Sequence, residues 1–380
     1  MESSETSRHE LNLALLAPGE IFGGAERQML ALCLWLMHQD IRPSVILFRD
    51  TTLAAMLRQC DIRPTILPTS GSFTPLAVRH LRTFLINSKI NVLHFHGYKA
   101  AVYTWLAAQG MRHMGKVKTE HGAIETPNST FRERSKIALY RHLDAFATRR
   151  IHPEIVYVTH ELKQHFLQVH RDLDHAVIYN GIDLPASQSL PRPADYHAIK
   201  KNIVILGRLE QVKGIEYALK ALCHPAISSD VLFHIVGDGP LRESLEQLTK
   251  DLSLEDKVFF HGFRSNATHY LASADALLIP SMHEGLPYVL LEAMSLQVPV
   301  IVSAVGGMKE VLSDGATGLL VPPADPPAIA NAIRRLMQSP VLQQQLRINA
   351  ANLVSRRFSA ATMGNEYLAL YHRVLAKCSC

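Results

Sequence analysis

The chain has 380 residues, 47% of them hydrophobic and 19% charged, which supplies full hydrophobic cores and, at this length, predicts two domains. No apolar run reaches the roughly 18 residues that span a bilayer, and the acidic opening Met1-Glu2-Ser3-Ser4-Glu5 is not a secretory signal, so a cytoplasmic protein is expected. A net charge of +5 is too mild for a nucleic-acid binder, and five scattered cysteines fit a reducing compartment without structural disulfides.

The first strand is predicted over 11–16. A loop follows, Pro18-Gly19-Glu20-Ile21-Phe22-Gly23-Gly24-Ala25-Glu26-Arg27, and then a helical pattern through Leu30, Leu32, Leu34 and Met37. Adjacent Gly23 and Gly24 let the backbone approach a ligand and expose N–H groups, although a plain tight turn has the same signature. The loop matches neither the dinucleotide fingerprint G-x-G-x-x-G nor a P-loop. Strands are predicted at 44–48, 64–67, 90–93, 116–119, 154–158 and 176–179, with helices at 53–59, 75–87 and 98–109. In the helix at 75–87, Leu76, Val78, Leu81 and Leu85 are expected to face inward. Repeated β-α alternation means a parallel sheet covered on both faces.

Strand ends in this half repeatedly finish in histidine, at positions 94, 96, 121 and 160. A single such residue is most simply a satisfied core histidine. Several at the ligand edge of one sheet point to a site, and His96 is the best placed because Gly97 leaves room beside it. The spacing is unlike a zinc site. Asp172-Leu173-Asp174 is formally D-x-D but lies in a polar turn, and no metal site and no cofactor are expected. Residues 128–151 form a basic amphipathic stretch. It is either a surface helix packed by one face or a segment for an anionic membrane surface.

Residues 184–198 are rich in Pro and Ser without periodicity and are expected to link the first domain, 1–183, to a second, 184–359. The second α/β series has strands at 202–206, 231–236, 258–261, 276–279, 299–302 and 318–321. They end in Gly207-Arg208, Gly237-Asp238-Gly239, Gly262-Phe263, the turn at 281–287, and Gly306-Gly307. In Ser281-Met282-His283-Glu284-Gly285-Leu286-Pro287, the proline is expected at the first position of a helix that carries Glu292. Ligands of open parallel sheets bind at this edge, and a helix N-terminus there suits a phosphate.

Together these residues describe a donor site. Arg208 and Lys213 would neutralise a diphosphate and help it leave. Glu292 would accept hydrogen bonds from ribose hydroxyls and Glu284 from sugar hydroxyls. Gly237, Gly262, Phe263, Gly285, Leu286 and Pro287 complete the expected substrate-binding set, with Gly23, Gly24 and His96 facing the sugar from across the cleft. Such a set suits transfer of a glycosyl unit from a nucleotide sugar. An epimerase or hydrolase on the same architecture would need a carboxylate base near the sugar, for which Glu120 is the candidate. A non-catalytic nucleotide-sugar binder would have lost Arg208, Lys213 or Glu292, and all three are present.

The chain resembles the retaining GT-B glycosyltransferases of glycosyltransferase family 4 over nearly its whole length. The resemblance rests on G-G-A-E at 23–26, H-F-H-G at 94–97, N-G-I-D at 180–183, G-R-L-x-x-x-K-G at 207–214, V-G-D-G-P at 236–240, E-x7-E from Glu284 to Glu292, and G-L-L-V-P-P at 318–323. It departs from the family's usual residues at His160, His283 and Met308. The resemblance implies two Rossmann-like doubly wound domains facing across a cleft, with a C-terminal helix at about 360–380 crossing back onto the first domain. It implies a nucleotide-sugar donor, UDP by default, on the second domain. It also implies retention of anomeric configuration without a metal. The basic stretch makes a lipid-linked or polysaccharide glycan the expected acceptor.

Overall fold

The computed structural model describes residues 10–20, 23–69, 73–122, 131–183, 190–196 and 199–378. The first sheet contains β1 (Leu13–Ala17), β2 (Ser44–Leu47), β3 (Thr65–Ile66), β4 (Val92–His96), β5 (Gly115–Glu120), β6 (Glu154–Tyr157) and β7 (His175–Val177). The interleaved helices are α1 (Gly24–His38), α2 (Thr52–Gln59), α3 (Pro75–Asn87), α4 (Gly97–Ala107), α5 (Phe131–Ile151) and α6 (His160–Phe166). All the strands are parallel, in the order β3-β2-β1-β4-β5-β6-β7.

The second sheet contains β8 (Lys201–Leu206), β9 (Val231–Val236), β10 (Val258–Gly262), β11 (Ala276–Ile279), β12 (Val300–Ser303) and β13 (Leu319–Val321). Its order is β10-β9-β8-β11-β12-β13, again parallel. Helices α7 (Ile215–Leu222), α8 (Arg242–Asp251), α9 (Ala267–Ala272), α10 (Tyr288–Ser295), α11 (Gly306–Val311) and α12 (Pro326–Met337) cover it. Two longer helices, α13 (Pro340–Arg357) and α14 (Ala360–Cys378), end the described chain.

Both domains are thus doubly wound parallel sheets, as the alternation predicts. Their strands are near-continuous apolar runs because helices cover both faces: Leu13–Ala17 and Val231–Val236 are buried at every position. In each sheet the strand order reverses beside the first strand, between β1 and β4 and between β8 and β11. Loops after those strands diverge to opposite faces and leave a crevice at the carboxyl edge. The Gly23-Gly24 loop follows β1 and His96 ends β4. In the second sheet, Gly207 follows β8 and the Glu284 turn follows β11.

Helix α14 packs on the first domain. Met363, Tyr367, Leu370, Tyr371, Val374 and Leu375 join the core built on β1 and α1. Gly364 lies flat against Trp35, where an added Cβ would come 2.1 Å from the indole ring. Helix α3 spans the predicted residues, but its inward stripe is Ala77, Leu81 and Leu85, and Leu76 is 55% exposed. The i, i+4 row through Leu81 and Leu85 runs back to position 77; one residue earlier lies about 100° round the helix.

Candidate active site in the interdomain cleft

Pro287 caps α10 rather than opening it: its ψ of 134° is extended, and the helix begins at Tyr288. The turn before it is fixed from two sides of the second domain. Gly214 has φ of 60° and lies against the Pro280 carbonyl, where a Cβ would come within 2.2 Å of the oxygen. Met282 N–H donates to Val212 O at 2.7 Å, so the loops after β8 and β11 travel together. On the other side, Gly306 has φ of 53° and abuts the Glu284 carbonyl, while Gly307 N–H donates to Gly285 O at 2.8 Å. Only glycine fits such an approach with left-handed backbone.

This arrangement aims Glu284 at Lys213. The ammonium meets Glu284 Oε1 at 2.6 Å, and Ser281 Oγ donates to the same oxygen at 2.9 Å. Arg208 sits in the adjoining recess with Gly207, Lys213 and Glu284. Its guanidinium pairs with Glu210 at 2.9 Å and is 56% exposed. A cation pair and an oriented carboxylate therefore occupy one edge of the second sheet, as the sequence predicts.

The first domain closes the other side of the cleft. Gly23, Gly24, Arg27, His121 and Asn180 line it together with Gly207, Lys213, Glu284, Gly285, Leu286, Pro287 and Tyr288. Asn180 Nδ2 donates across the interface to Leu286 O at 2.9 Å, and its Oδ1 accepts from Gln28 Nε2 at 3.0 Å. Glu310 accepts from the backbone N–H of His160 and Glu161 and from Tyr179 OH, joining α11 to α6. Arg27 is ion-paired with Glu292 across the cleft.

His96 does not line this cleft. It lies one layer deeper, fully buried, with Nδ1 2.9 Å from Nε2 of His121. His121 stands between His96 and the cleft and borders both spaces. Burial holds His96 well below its usual pKa and pulls His121 down to about 4, so both rings are neutral near pH 7. His94 is a structural group. It bonds Tyr371 OH and Thr119 Oγ1, and burial lowers it to about 3.

Of the expected substrate-binding residues, Gly237, Gly262, Phe263 and Glu292 are not part of the lining, and Glu292 meets it through the ion pair with Arg27. Gly237 N–H donates to Gly262 O at 2.9 Å, and Gly237 presses on the Gly207 carbonyl, so its glycine serves the close approach of two strand ends. Phe263 is 81% exposed. Glu120 forms an ion pair with buried Lys118 at 2.6 Å. Asp174 of the D-x-D is bound by Lys377 and is 69% exposed, and Asp172 faces solvent.

Arg27 and Asn180 are lining residues that the sequence does not single out, and His121 stands out there only as one of four strand-end histidines. Each lay within a noted motif. His121 ends a strand before a glycine, and Arg27 follows G-G-A-E. Asn180 begins N-G-I-D.

Residues 22–185 match the family described as Glycosyltransferase Family 4, and residues 196–353 match that described as Glycosyl transferases group 1. The lipopolysaccharide core biosynthesis glycosyltransferase LpsD of Rhizobium meliloti is 35% identical over 192 residues, 50% of this chain and 54% of that one. The alpha-D-kanosaminyltransferase of Streptomyces kanamyceticus is 32% identical over 175 residues, 45% of each chain. The matched region thus spans about half the length of these two relatives. The crystal structure of Anabaena Alr3699/HepE in complex with UDP superimposes with a TM-score of 0.80 at 22% identity, over 95% of this chain and 99% of that one, which places both on the same GT-B fold. The two family matches cover consecutive halves of the molecule and the fold agrees with them, so the chain belongs to the group 1 glycosyltransferases with a family 4 N-terminal domain.

Proposed function

We propose that the protein is a retaining, metal-independent glycosyltransferase that moves a sugar from a UDP-sugar to a hydroxyl of a lipid-linked or polysaccharide glycan. The observation that carries this reading is the meeting, in one cleft, of Gly23 and Gly24 with Lys213, Glu284 and Gly285. Backbone N–H groups and cations stand where a diphosphate leaves, and carboxylates stand where hydroxyls are read. In this reading Arg208 and Lys213 hold the diphosphate, Glu292 the ribose and Glu284 the donor sugar.

The acceptor hydroxyl oxygen bonds to the anomeric carbon on the face that the nucleotide leaves. The bond from that carbon to the phosphate oxygen breaks, and the hydroxyl proton passes to the departing phosphate. The developing charge is taken up by Lys213 and Arg208, the task a divalent cation performs elsewhere. Glu120 is tied to Lys118, which disfavours an epimerase using it as a free base. UDP as the nucleotide is supported by the UDP-bound structure of the same fold, and a glycan acceptor by the name of LpsD.

A screen of UDP-, GDP- and ADP-sugars by thermal shift and nucleotide release tests the donor. A UDP-sugar should stabilise the protein and be consumed; turnover of a GDP- or ADP-sugar instead would overturn the assignment.

The same reading places α5 against an anionic membrane surface. Leu139, Leu143 and Phe146 are 57%, 43% and 45% exposed and recur at i, i+4 and i+7 on one face, flanked by exposed Arg149 and Arg150. Residues 128–130 lie outside the described residues. No described helix is long and apolar enough to cross a membrane.

A further inference from the structure

Behind His121 the cleft opens into a second cavity whose walls all come from the first domain. Among the described residues its charges do not balance. Lys118 is fully buried in β5, and its ammonium bonds both oxygens of Asp144 at 2.8 and 2.7 Å and Thr148 Oγ1 at 3.1 Å. It also meets Glu120 at 2.6 Å. One cation thus serves two carboxylates, and both carboxylates line the cavity. Glu26, a third carboxylate in the wall, is 8% exposed and spends Oε2 on the N–H of Gly23 at 3.1 Å. Burial raises the Glu26 and Glu120 carboxyls above their usual range, and for Glu120 this outweighs the pull of Lys118. Arg141 also borders the cavity and is exposed to solvent.

The histidine pair adds a second, independent sign of a ligand. His96 is 1% exposed, lines the cavity, and its Nε2 has no partner among the described residues; Nδ1 of His121 is likewise unpaired. Two neutral imidazoles share one hydrogen bond through their inner nitrogens. Of the two outer nitrogens, one must then carry a proton and the other must be bare. Whichever tautomer holds, the pair offers one donor and one acceptor, the complement of sugar hydroxyls. A further wall is the stacked pair Tyr98 and Tyr140, with centroids 4.8 Å apart and planes at 14°. Aromatic faces attract cations and receive the C–H faces of sugars.

We propose that this cavity is the acceptor subsite and that it takes a pyranose bearing a free primary amine, its ammonium against the carboxylates of Glu26 and Glu120 and its hydroxyls on the His96–His121 pair. The assignment rests on the transferase reading above and sharpens it by naming the acceptor's class. A buried carboxylate in excess of its cations is costly unless a proton or a counter-charge arrives, and an ammonium supplies the charge. An N-acetylated sugar leaves the excess uncompensated. A phosphorylated or uronic acid acceptor would meet three carboxylates.

The test uses the intact wild-type protein with UDP bound. The probes are octyl glycosides of glucose and galactose, each in 2-amino, 2-acetamido and 2-hydroxy form, with binding read by calorimetry. The amine should bind about tenfold tighter than its acetamido twin at pH 7. That preference should vanish once the pH exceeds the amine's own pKa, which separates charge from shape. Glu120→Gln should erase the preference; Asp144→Asn is the alternative variant if loss of Glu120 prevents folding. Equal or tighter binding of the acetamido or hydroxy series, or no binding of either amine, overturns the proposal. Hydrolysis of the UDP-sugar in the absence of acceptor reads the donor site separately. Its loss would count against the transferase reading, while its survival alongside an absent amine preference counts only against this one.

Discussion

Arg27 of the first domain and Glu292 of the second form an ion pair that crosses the cleft at the carboxylate expected to hold ribose. The two residues are 265 positions apart in the chain. In the proposed donor reading the same carboxylate would serve two partners in turn, the Arg27 guanidinium before the nucleotide binds and ribose hydroxyls afterwards. Glu292→Gln should weaken UDP binding about tenfold, the scale of hydrogen bonds to a charged group. Arg27→Gln should tighten it a few-fold by removing the competitor. Calorimetry on the two single variants and the double variant checks this through the coupling between them. Equal weakening by both single changes would show instead that Arg27 holds the nucleotide directly.

In the proposed donor reading Lys213 is a cation that acts on the leaving diphosphate. Its ammonium is already held by Glu284 at 2.6 Å on a loop locked to β11. Lys213→Ala should lower kcat/KM by about 100-fold or more and leave the melting temperature nearly unchanged, since the pair is part-exposed. Full activity in that variant would remove the residue from the donor site.

Gly364 decides whether α14 can seat on the first domain. A Cβ there would sit inside the Trp35 ring contact, and packed cores resist such insertion at a cost of about 1–3 kcal/mol. Gly364→Val should lower stability by at least that amount in urea unfolding. Gly110→Val, at a position with open space but a φ of 81°, controls for strain alone.

Stability should fall below neutral pH. His94, His96 and His121 are buried neutral, and their folded-state pKa values lie below the unfolded value near 6.5. The unfolded chain therefore binds protons first. The stabilising contribution is full above about pH 6.5 and is lost progressively as pH falls toward 4 and 3. Each histidine contributes up to about 1.4 kcal/mol per pH unit in that window. Urea denaturation at pH 7, 6 and 5 measures the slope. His94→Gln should reduce it by about one proton's worth, and an unchanged slope would place the titrating groups elsewhere.

The exposed stripe on α5 sets the membrane prediction. Replacing Leu139, Leu143 and Phe146 with Ser together should abolish co-sedimentation with vesicles containing phosphatidylglycerol while leaving turnover of a water-soluble acceptor intact. Retained vesicle binding would show that the helix is an ordinary solvent-facing surface.

Much of the architecture was legible in the chain itself. Apolar runs such as Leu13–Ala17 and Val231–Val236, alternating with helical patterns, dictate parallel sheets, because only strands covered on both faces are apolar throughout. The glycines at 207, 214 and 306 marked turns where backbones approach closely. Motif spacing placed Lys213, Glu284 and Glu292 on one sheet edge, because local strand-loop-helix geometry fixes where such loops emerge. Tertiary structure alone decided which side chains meet. Arg27 reaches Glu292, and His121 rather than His96 borders the cleft. One lysine in β5 is left serving two carboxylates. Periodicity reports which face of an element is buried, whereas these contacts depend on how two separately folded sheets are set against each other, and no local pattern carries that distance.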